Sequence, residues 1–154
     1  MNNLSIENAH IFGLNFSGVE SKNNPAGKRS FCVAIDDPEQ AQAMLEDGWN
    51  VRISAPRDED ESPRYYVPVA VNFEGPYPTK VVTISGGVKT QRTEDTIREL
   101  DHADIAKVDL TIRPYYWEVN GKQGIKAYLK TMYVTLEQDE FAAKYTDVDE
   151  EAPF

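Results

Sequence analysis

The side chains best placed to do chemistry fall between Lys107 and Leu136. Two strand-like patterns there flank Asn120-Gly121, the pair favoured for a two-residue type I′ hairpin turn. Such a turn fixes the register, so that facing residue numbers sum to 241 if no bulge intervenes. One face of the hairpin then carries Val108, Leu110, Ile112, Pro114 and Tyr116 opposite Tyr133, Thr131, Leu129, Ala127 and Ile125, and is expected to face the core. The other carries Thr111, Arg113, Tyr115 and Trp117 opposite Lys130, Tyr128, Lys126 and Gly124. Rings and cations alternate on it, along the strands and across them. Single-stranded nucleic acid calls for both, since cations track phosphates and flat rings stack on unpaired bases, at roughly 1–3 kcal/mol per base and with little regard to sequence. Lys122 and Lys130 lengthen the cationic track, Lys28 and Arg29 can join it from another strand, and Tyr66 adds a ring. Gly124, having no side chain, is expected to leave one side of the Trp117 indole uncovered.

Two plainer readings compete. Large rings most often supply core area, but burying this face would also bury Arg113, Lys126 and Lys130, each then needing a partner. A protein–protein contact also uses Tyr, Trp and Arg. Nucleic-acid binding accounts best for the face as a unit.

Other chemistries find little support. Cys32 is the sole cysteine, lies mid-strand and has no fixed histidine partner; with His10 and His102 it makes no usual zinc set. Gly86-Gly87 lacks the spacing and the Lys-Ser/Thr of a phosphate loop. Asp58 to Glu61 is a run of carboxylates without the spaced ligands and glycine of a calcium loop, and reads as solvated. No catalytic residue, metal or cofactor is expected.

The positioning elements are short. Ile6 to Phe16 reads as a first strand, and Arg29 to Ile35 alternates like a half-buried one. Asp37 and Pro38 start a short helix that Gly48 stops. Val51 to Ala55, the row Tyr65, Val67, Val69, Val71 and Phe73, and Lys80 to Ser85 continue the strands, with Pro68 pointing to an edge or a bulge. Thr93 to His102 reads as a second short helix. This is mainly β: a small, closed or partly closed barrel with a long β-hairpin and two short helices.

The 154 residues suit one domain, and apolar runs fall far short of the ~20 residues of a membrane span. With no secretory start and a lone cysteine, a reducing cytoplasm is expected. The net charge of −10 is local: the segment from Glu137 onward carries −6 and Asp58 to Glu61 carries −4, leaving the body neutral. We expect a domain over 1–145 and a disordered acidic C-terminal tail over 146–154, with one or two helical turns over 137–145. A terminal Phe offers a ring and a carboxylate to a basic-rimmed pocket.

The tail resembles the acidic tips of bacterial single-stranded DNA-binding proteins: Asp147, Asp149, Glu150, Glu151, Pro153 and Phe154 match, while Glu150-Glu151-Ala152 stands where that family more often has aspartates and an aliphatic residue. That resemblance implies recruitment of replication, recombination and repair proteins. A broader one covers Asn24-Pro25-Ala26-Gly27 with Arg29 to Val33, Asp47 to Val51, and Arg113 to Gly121, which look like a family of phage and prophage single-stranded DNA-binding proteins of OB-fold type. It implies an OB-like barrel whose partner is single-stranded DNA, in phage replication and recombination. Homo-oligomerisation is left open. The alternative is an acidic interaction or inhibitor protein that occupies the basic groove of a DNA-binding enzyme.

Overall fold

The computed structural model describes residues 3–20, 26–54 and 63–137. The acidic run at 58–61, the motif residues Asn24 and Pro25, the turns expected after Glu137 and the tail 146–154 lie outside the described residues.

The expected first strand is two strands, β1 (Leu4–Ile6) and β2 (Ile11–Asn15). The break falls at Asn8, whose φ of 49° lies in the left-handed region that asparagine tolerates and whose N–H donates to Asp109 Oδ1 at 2.8 Å. The bend makes one stretch of chain serve two neighbours. Ala9 N–H donates to Val108 O at 2.7 Å on one side, while His10 O accepts from Ala34 N–H at 2.9 Å on the other.

Next come β3 (Arg29–Ile35), α1 (Pro38–Asp47), β4 (Arg52–Ser54), β5 (Arg64–Val71), β6 (Lys80–Ser85), β7 (Val88–Arg92), a 3-10 helix (Ile97–His102), β8 (Ile105–Val119) and β9 (Lys122–Leu136). The main path runs β1-β8-β9-β5-β3-β2. Its two end strands are consecutive in the chain, so the bend at Asn8 draws the mixed sheet into an OB-like barrel. The weakest seam is the parallel pairing of β5 with β9, limited to Val69–Ala127 and Ala70–Tyr128. Pro68 sits on neither an edge strand nor a bulge: it pairs with Cys32 of β3, and on the other side of β5 it lies between the part that pairs with β4 and the part that pairs with β9, where no ladder runs past it.

Alternation fills the interior. Phe31, Val33 and Ile35 of β3, Val67, Val69 and Val71 of β5, and Val108, Leu110 and Ile112 of β8 are buried. α1 is as expected, with the Asp37 side chain accepting from Glu39 N–H at its start and a left-handed Gly48 at its end, burying Ala41 and Met44. The second helix is a 3-10 helix that sends Ile97 and Leu100 inward.

The hairpin corrects the expected register. Facing numbers sum to 241 from the turn down to Ile112–Leu129, but Thr111 pairs with Thr131, Leu110 with Met132 and Val108 with Val134. Lys130 is the extra residue of a β-bulge. Below it the faces of β9 exchange: Met132 and Val134 are fully buried, whereas Tyr133, expected in the core, is exposed and Thr131 is half-buried. The bulge sits where β9 changes its second partner, from β5 at Ala127–Tyr128 to β6 at Thr131–Thr135. Tyr116 also departs from expectation. It has core parity but is 57% exposed, because the hairpin there runs past the end of the barrel. The strand β7, made of mostly exposed residues, has no periodic apolar signal to announce it.

Asp101 ties the 3-10 helix to the end of β2, its carboxylate accepting from Phe16 N–H at 2.7 Å and Ser17 N–H at 3.0 Å. Removing that acceptor leaves two half-buried donors unpaired, so Asp101→Ala is expected to lower the unfolding free energy by about 1–3 kcal/mol in a urea titration.

Candidate nucleic-acid interface

The site is built on the part of the hairpin that overhangs the barrel. Asn120 and Gly121 have φ of 52° and 79°, as the type I′ turn requires, and the register is regular from there to Ile112–Leu129. Ile125 anchors the overhang from beneath: it is buried, its N–H donates to Gly48 O at 2.9 Å, and it bridges Trp49. On the outward face, Tyr115 is 49% and Trp117 38% exposed, and Lys126, directly opposite Tyr115, is exposed as well.

The rings and cations of this face hold one another. Tyr115 meets Tyr128 edge-on, centroids 5.8 Å apart. The Tyr128 ring has Lys126 Nζ at 5.1 Å and Arg113 Cζ at 5.3 Å from its centroid. Neither cation is in an ion pair among the described residues, where the salt bridges are Arg29–Glu94, Arg92–Glu99 and Lys107–Asp109. Cation–π contacts orient the charges without neutralising them.

Gly124 does something other than bare the indole. A Cβ placed on it would lie 2.8 Å from Trp117 Cζ2 and 3.0 Å from Cε2, so the indole rests across the glycine backbone. One side of the ring is therefore supported there, and the exposed remainder is what a base could meet.

A groove of about 640 Å³ opens beside this platform. Trp117 and Lys126 line it from the hairpin, Lys28 and Arg29 from the start of β3, with Ser30 and Ala70 among its lining. Arg29 lies in the groove but its charge is engaged: Nε donates to Phe16 O and Nη1 to Glu94 Oε1, both at 3.0 Å. It braces the loop after β2 more than it supplies a phosphate contact. Lys122 is exposed near the turn, and Lys130 is exposed at the bulge. Tyr66 is not part of this cluster. It lies farther along β5, edge-on to Phe12 at 5.3 Å, beside a second cavity.

Tyr77, which the sequence offers only as a weaker ring candidate, lies beside this cluster. Arg113 Cζ lies 5.0 Å from its ring centroid, and the ring is among the most exposed in the chain. Thr79 N–H donates to Asn72 O and closes the loop that carries it. The available signal is Pro76-Tyr77-Pro78, a tyrosine held between two residues of fixed φ.

The fold is similar to that of solved phage proteins. The single-stranded DNA-binding protein from bacteriophage Enc34 matches with a TM-score of 0.55 at 10% identity, over 97% of this chain and 89% of that one. The same protein in complex with ssDNA matches with a TM-score of 0.56 at 10% identity, over 90% of this chain and 89% of that one. Its C-terminal truncation gives 0.55 at 11% identity, over 89% and 87%. No curated protein matches the sequence. Residues 1–152 match the family described as "Putative phage ssDNA-binding domain", a family of binding proteins and not of enzymes, and the chain belongs to it.

Proposed function

We propose that this protein coats single-stranded DNA with little sequence preference and serves phage replication and recombination in the host cytoplasm. The reading rests on one observation above all: Tyr115 and Trp117 are open to solvent beside Arg113 and Lys126, whose charges no carboxylate among the described residues engages. Stacking on such rings tolerates any base, and the cations supply a salt-sensitive attraction for the backbone. Lys28, Lys122, Tyr128 and Lys130 complete the contact set, with Tyr77 as an added wall.

We further propose a division of labour, with residues 1–145 binding DNA and the tail 146–154 recruiting replication, recombination or repair proteins. Asp147, Asp149, Glu150 and Glu151 would steer toward a cationic surface, and Pro153-Phe154 would enter a pocket on it.

Titrating intrinsic tryptophan emission with oligo-dT at two salt concentrations tests the first proposal. Quenching that weakens with salt is expected. Tyr115→Ala or Trp117→Ala should each reduce affinity roughly 5- to 150-fold, the equivalent of one lost stacking contact. Lys126→Glu should weaken binding and flatten its salt dependence. Gly124→Ala, whose Cβ would displace the indole, should weaken binding while leaving the fold intact. Salt-insensitive titrations with no quenching would instead favour a DNA-mimicking inhibitor. For the tail, deleting residues 152–154 should leave DNA affinity unchanged, because Asp147, Asp149, Glu150 and Glu151 all remain, and should abolish capture of host replication proteins in a pull-down.

A further inference from the structure

Two arginine–carboxylate pairs tie the chain around the end of β7 to the barrel, and only one of them faces the groove. Arg92 pairs with Glu99, and its Nε donates to Thr83 Oγ1 at 3.1 Å; neither residue of this pair lines the groove. Arg29 does line it, and its Nη1 meets Glu94 Oε1 at 3.0 Å. The charged residues of the groove lining are Lys28, Arg29 and Lys126. One of three cations on the proposed DNA path is thus already matched by an acid of this chain.

Little else depends on that match. Arg29 is also fixed by its Nε, which donates to Phe16 O at 3.0 Å. The loop bearing Glu94 closes on itself: Thr93 N–H donates to Thr96 Oγ1 at 2.8 Å, and Ile97 N–H to Thr93 O at 2.9 Å. The Glu94 side chain is 43% exposed, and so open an ion pair contributes little to stability. Its effect on the groove is larger. A carboxylate occupies the same guanidinium donors that a phosphate would use, and it cancels the charge that would attract one.

We infer that Glu94 acts through Arg29 as a built-in competitor for phosphate. Its carboxylate holds the guanidinium that would otherwise take a backbone phosphate in the groove, and so keeps affinity below what the three cations together would give. Glu94 is a positioning residue in this sense, since it need not touch the strand. The inference rests on the proposed single-stranded DNA binding and names what limits it. Affinity differences of this kind act mostly through dissociation, so the pair sets how readily the protein leaves the strand.

The test titrates the full-length protein with oligo-dT over a range of salt, read by tryptophan emission. Glu94→Gln keeps an acceptor for Arg29 but no charge, and Glu94→Ala removes both. Each should bind several-fold tighter than wild type at low salt. Each should also steepen the log–log salt dependence by about 0.7, the value of one added phosphate contact on a single strand. Glu99→Gln, which releases Arg92 away from the groove, should match wild type in both respects. Adding Arg29→Met to Glu94→Gln should cancel the gain and restore the wild-type slope. A Glu94 that merely braces the loop would lower the urea midpoint and leave the slope alone; an unchanged slope in both Glu94 variants overturns the inference. Wild-type protein without salt-sensitive quenching would overturn the DNA-binding reading beneath it.

Discussion

A single extra residue in β9 governs what the hairpin can do. From Ile125 to Leu129 the buried side chains of β9 fall on odd positions; from Met132 to Val134 they fall on even ones. A regular strand could satisfy only one half, putting either Tyr133 and Thr131 or the platform residues inside. The bulge at Lys130 absorbs the mismatch, and β8 stays in phase throughout, burying Val108, Leu110 and Ile112. The same residue marks the handover of β9 from β5 to β6, so the local kink coincides with a change of neighbour. The dry core below and the aromatic face above are two consequences of one irregularity.

The electrostatics of the face follow from its company. Exposed salt bridges and exposed cation–π contacts are each worth about 1 kcal/mol or less, so neither dominates stability. They differ in what they leave behind. A carboxylate partner cancels the charge, as Glu94 does for Arg29; an aromatic partner leaves it available, as Tyr128 does for Arg113 and Lys126. Concentrating acids in the 58–61 run and after Glu137 keeps the body near neutrality, so this face can be cationic within a strongly acidic protein.

Much of this was legible in the sequence because it depends on local patterns. Asn120-Gly121 set the turn and thereby the pairing of Tyr115 with Lys126 and of Trp117 with Gly124; Asp37, Pro38 and Gly48 bounded α1. The missed features depend on tertiary context. Asn8 breaks a strand that reads as continuous because the chain must pass from β8 to β3. Tyr116 keeps core parity where the barrel has ended. Arg29 reads as a free cation until Glu94, 65 residues away, takes it. The bulge did leave a trace: the apolar phase of β9 changes between Leu129 and Met132 while that of β8 does not.

The anchoring of the overhang explains why α1, distant from the hairpin in sequence, matters to the platform. A two-stranded ribbon projecting beyond a barrel has marginal stability by itself. Here α1 ends in a left-handed Gly48 whose carbonyl accepts from Ile125, and Trp49 follows at once to bridge the same residue. The buried underside of β9 is thus pinned one residue from Gly124, on which the Trp117 indole rests. Rings held in place before a ligand arrives lose less conformational entropy on binding. The helix stop, the buried Ile125, the bare Gly124 and the supported indole act in series, turning the cap of α1 into a strut for the platform.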